Sequence, residues 1–69
     1  MALNQKELKE IKRFKQVLDR EVHFSGTREV LLREFIFQSF PNQLEKATSG
    51  QTENFAKWDY VTKIMKEVQ

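Results

Sequence analysis

Apolar residues recur at spacings of three and four along most of this chain, and nowhere do they alternate with polar ones over a strand's length. In the first segment Leu8, Ile11, Phe14, Leu18 and Val22 form one stripe, which predicts an amphipathic helix over residues 5–22. Asn4 precedes it, with a side-chain oxygen suited to accept from an early unpaired N–H. His23, Phe24, Ser25 and Gly26 predict its end, with Gly26 free to take a left-handed conformation.

A second helix is predicted over 27–40, capped by Thr27 and carrying Glu29 in its first turn, where the helix dipole favours a carboxylate. Seven of the eleven residues from 30 to 40 are large and apolar: Val30, Leu31, Leu32, Phe35, Ile36, Phe37 and Phe40. At about 100° per residue they spread nearly around the cylinder. Such a helix must be covered on most sides, so it is read as the central one. A strand through Phe35, Ile36 and Phe37 would have no partner strand to join.

Pro41 disfavours helical geometry at Phe40 and ends this helix, yet it suits the first position of a short helix over 41–47. Thr48, Ser49, Gly50 and Gln51 read as a loop, and Thr52 as the cap of a last helix over 53–67. Trp58, Val61, Ile64, Met65 and Val68 make its apolar stripe, with Asp59 and Lys63 a favourable i,i+4 pair outside it. The expected fold is all-α: a small domain over residues 1–69, three helices with a short additional one. Its core is expected to draw on Leu8, Ile11, Leu18, Leu31, Leu32, Phe35, Ile36, Val61, Ile64 and Met65.

Length and composition narrow the function. A chain of 69 residues buries only roughly 60% of its surface on folding, so its core is thin. With no cysteine and one histidine it has no disulfide, no thiolate ligand set and no zinc site of its own. No Gly-rich phosphate loop, no Gly-x-Ser-x-Gly and no clustered metal ligands occur. The expectation is a non-enzymatic protein without cofactor or metal. His23, four residues after Asp19, reads as a helix-end histidine near the last carbonyls rather than a general base. The polar start and the lack of any 18-residue apolar run predict neither a signal peptide nor a membrane span, and a cytoplasmic location.

Two surfaces are candidates for function. The chain carries seven aromatics from Phe24 onward, and a central helix apolar on most sides leaves more apolar surface than short neighbours can cover. Small scaffolds without disulfides or metals often resolve this by associating. The leading expectation is a regulatory interaction module that binds protein, as a homodimer through the central helix, by way of Val30, Phe37, Phe40 and Trp58. The alternative is a small nucleic-acid-binding regulator. Residues 1–22 hold six basic and four acidic side chains while the rest balances, so the net charge of +2 resides there. Lys6, Lys9, Arg13 and Arg20 share a face opposite Ile11 and Leu18, a row of roughly 20 Å that would track phosphates. Glu10 and Asp19 lie alongside and dilute it. A helix-turn-helix through residues 44–47, the Gly50 turn and a helix opening at Thr52, with Thr52, Asn54 and Lys57 facing a groove, is disfavoured by its short first helix and by Glu45, Glu53 and Asp59.

Overall fold

The computed structural model describes residues 3–49 and 54–68, and of Asn54 the backbone alone. The described residues form four helices and no strand: α1 (Gln5–Glu21), α2 (Ser25–Ser39), α3 (Pro41–Ala47) and α4 (Asn54–Glu67). The fold is all-α, and α2 is its centre, with α1, α3 and α4 each packed on it.

Two devices start α1. The Asn4 side chain accepts from the Glu7 N–H at 2.9 Å, and the Glu7 carboxylate accepts from the Asn4 N–H at 3.0 Å, closing a capping box. Leu3 and Leu8 occupy the staple positions on either side of the cap and both join the core cluster. The other Glu7 oxygen accepts from Gln43 Nε2 at 2.6 Å, which ties this end of α1 to α3.

The connection to α2 is shorter than the sequence predicts. Val22 caps α1 in an extended conformation, and α2 begins at Ser25. Gly26 therefore lies in the first turn of α2 instead of a left-handed link, and Thr27 is inside the helix rather than its cap. Phe24 takes the cap position and offers no side-chain bond. Arg28 holds the corner: its Nη1 donates to the Val22 carbonyl at 2.7 Å, and its Nε lies 3.5 Å from Asp19. A guanidinium six residues away thus satisfies the carbonyl for which a glycine turn was expected.

Phe40 joins α2 to α3. Its N–H donates to the Ile36 carbonyl, its own carbonyl accepts from the Leu44 N–H, and Pro41 takes the first position of α3. Its ring is only 5% exposed. It meets Phe35 edge-on at 6.2 Å, and Phe35 stacks on Phe14 of α1 at 4.3 Å. The expectation that Phe40 belongs to an outer contact surface is thereby corrected. The proline corner ends α2 at Phe40 and leaves the ring on the inside of the bend.

Ile11, Leu18, Leu32, Ile36, Val61, Ile64 and Met65 form the core, joined by Leu3, Leu44, Ala56 and Val68; Leu8, Leu31 and Phe35 are half-buried at its edge. No helix among the described residues is long and apolar enough to cross a membrane.

Truncating the two linked rings should separate their roles. Phe40→Ala is expected to cost about 4–5 kcal/mol and Phe35→Ala about 3 kcal/mol, because the second ring is already partly exposed. A domain of this size rarely has more than about 3–5 kcal/mol in total, so Phe40→Ala should lose its helical circular dichroism at room temperature. A Phe40→Ala protein that melts like wild type contradicts the buried corner. Gly26→Ala should instead raise stability by about 0.4–1 kcal/mol in urea denaturation, since an added Cβ meets nothing within 4 Å and the backbone is helical. Destabilisation would mean that the backbone there needs glycine.

Candidate functional site

The domain measures 38 × 24 × 18 Å, and its thinnest dimension holds two layers of helices. A helix in a two-layer domain cannot be covered all round. On α2 the uncovered side carries Val30, 53% exposed, and the half-buried Phe37. Across from them, Trp58 of α4 is 50% exposed. These three side chains, with Arg33, Glu34 and Gln38, line a groove of about 380 Å³. Three of the four residues expected at an interface are thus brought together, and Phe40 is not among them. Phe55, one turn before Trp58 on α4, stands 65% exposed.

Arg33 builds the floor of this groove, and sequence reading passed over it. Its guanidinium is buried and lies over the Trp58 ring, 3.9 Å from the centroid. Nη2 donates to Glu29 at 3.2 Å and more weakly to Thr62 Oγ1 at 3.4 Å, while the buried Nε has no hydrogen-bond partner. Thr62 Oγ1 in turn donates to the Trp58 carbonyl at 2.9 Å. The indole is therefore held by a cation over its ring while half of the residue's surface stays exposed. A fixed aromatic beside an apolar groove suits the capture of apolar side chains, because the ring's orientation is set before anything binds. Arg33 and Trp58 are far apart in sequence, and neither the helical periodicity nor any motif connects them.

On α1, Lys6, Lys9, Arg13 and Arg20 are all exposed and make no ion pair among the described residues. Asp19, expected to dilute them, is instead engaged by Lys15 at 3.1 Å and by Arg28. That also removes it as an orienting partner for His23, which is exposed and lies beyond the end of α1. The last carbonyl before His23 is taken by Arg28, not by the histidine. Lys57, placed by the helix-turn-helix alternative toward a groove, pairs with Glu45 at 3.0 Å and bridges α4 to α3. Thr52 and the Asn54 side chain lie outside the described residues. Among the described residues no group of three or more His, Asp or Glu side chains is arranged to hold a metal ion.

If Arg33 acts through its stem and its stacking, Arg33→Met should stay within about 1 kcal/mol of wild type, since Met keeps the apolar stem and removes an unpaired buried N–H. Arg33→Ala should cost about 2 kcal/mol or more by opening a cavity beneath Trp58. Urea denaturation of the two variants checks this. Equal losses in both would mean that the charge, not the packing, holds the floor. The chain matches no protein-family model, no curated protein and no solved structure.

Proposed function

We propose that this domain is a non-enzymatic interaction module that works by docking to protein, and that it pairs with a second copy of itself through the α2–α4 groove. The observation that carries this reading is the cluster of Val30, Phe37 and Trp58 around one groove on a scaffold too thin to cover it. Phe55, three residues before Trp58 on α4, is a further exposed aromatic on that helix. A two-fold interface sets the same patch of both copies against each other, so one exposed apolar patch serves both sides. Aromatic anchors of this kind contribute most of the energy of an interface. A stable pairing buries about 800 Å² per partner. That is roughly a sixth of the 5128 Å² surface of this chain.

Trp58 is the only tryptophan, so its emission reports directly on whether the groove is covered. Between micromolar and millimolar concentration, sedimentation should show the mass rising from 8.3 kDa toward twice that value, with Trp58 emission moving to the blue in step. Val30→Glu together with Phe55→Glu, both at exposed positions, should remain folded and sediment as a single chain. A wild type that keeps the single-chain mass throughout, with unshifted emission, removes the proposal. A dimer that survives both substitutions moves the interface elsewhere.

A further inference from the structure

The second surface is the outer face of α1, and the fold sharpens it beyond what the sequence shows. At about 100° per residue, Lys6, Lys9, Lys12, Arg13 and Arg20 fall within an arc of about 120° centred opposite the buried Ile11 and Leu18. All five are exposed, and none is in an ion pair among the described residues. No carboxylate of α1 lies inside that arc, and from another helix Glu67 shares a shallow hollow with Lys9 and Lys12 at its edge without an ion pair to either. Glu7 is held in the capping box and by Gln43, Asp19 is held by Lys15 and Arg28, and Glu10 and Glu21 lie beyond one edge. Several of the cations are i,i+3 or i,i+4 neighbours, an arrangement that costs stability in a helix and is relieved by a bound polyanion.

We infer that this face is an interface for the phosphate backbone of a nucleic-acid duplex, used without regard to base sequence. From Lys6 to Arg20 the row runs about 21 Å, and that length of duplex presents about a dozen phosphate charges. The helix is capped and packed before anything binds, so docking a duplex does not have to order it. Single strands fit less well, because they are held by stacking on aromatic rings. The aromatic of α1, Phe14, is turned inward onto Phe35. An anionic membrane also fits less well: the apolar stripe of α1 is packed in the core, and of its apolar residues Val17 alone is exposed.

The test is fluorescence anisotropy with a labelled mixed-sequence DNA duplex of about two turns, roughly 21 base pairs, titrated at about 50 and about 200 mM salt. Wild type should bind, with log K falling against log salt at a slope between about −3 and about −4.5, the value for three to five neutralised phosphates. Replacing all five cations with Gln preserves helix propensity, and circular dichroism should be unchanged. Affinity at the lower salt should fall by at least about tenfold and the slope should flatten by about three or more. Lys46→Gln with Lys63→Gln removes two exposed cations elsewhere and should leave both unchanged. These substitutions share no residue with the groove, so a failed duplex titration says nothing about pairing through α2 and α4, and the reverse holds too. Three results overturn the inference: no wild-type binding at the lower salt, equal binding by the five-Gln variant, or stronger retention by phosphatidylserine vesicles or single-stranded DNA than by the duplex.

Discussion

The architecture depends on the burial of α2 in a domain only two helix layers thick. Its apolar residues point in nearly every direction, and three neighbours pack on it: α1, α3 and α4. Leu32 and Ile36 are covered completely, and Phe40 is folded under by the proline corner. Leu31 and Phe35 are half-covered, Phe35 by Phe14 of α1. Only the sector holding Val30 and Phe37 is left, and it opens into the groove beside Trp58. The candidate docking surface is thus the remainder of the same hydrophobic requirement that builds the core. Apolar area buried at about 25 cal/mol per Å² stabilises the fold on one side and leaves a stabilisation still to be gained on the other.

Charge is divided in the same way. The two arginines of α2 are structural: Arg28 caps α1 and holds Asp19, and Arg33 lies under Trp58. Arg28 and Lys15 pair with Asp19, the carboxylate beside the outer row of α1. A small net charge therefore hides a strongly one-sided helix. Whole-molecule charge governs long-range attraction, but a local row of unpaired cations governs what can dock against that face. The apolar groove and the basic row share no residue, which lets each be altered without disturbing the other.

Much of this was legible in the chain. Periodicities of three and four located all four helices, and Asn4 and Pro41 marked two of their starts, because caps and proline act through bonds to the nearest few residues. The exposure of Val30 followed from a helix apolar on most sides that short partners cannot fully cover, and Trp58 was singled out because large aromatics anchor interfaces. The errors came where a long side chain acted at a distance. Gly26 and Thr27 carry the composition of a turn and cap, but Arg28 satisfies the end of α1, and that freed Ser25 and Gly26 to enter α2.

What the sequence determined by itself is the local order: an all-helical chain, its approximate boundaries, and which helix is apolar all round. These follow from interactions within a turn or two of each residue. The tertiary structure alone decided which part of that apolar surface is left open and which cations are left unpaired. Phe40 and Phe37 are both large rings near the end of one helix, and the bend at Pro41 buries the first and leaves the second at the groove. Asp19 and Glu10 both flank the basic row, and of the two only Asp19 is paired, by Lys15 and by an arginine on another helix. Helical periodicity assigns a residue to a face, but coverage and pairing are set by neighbours distant in sequence.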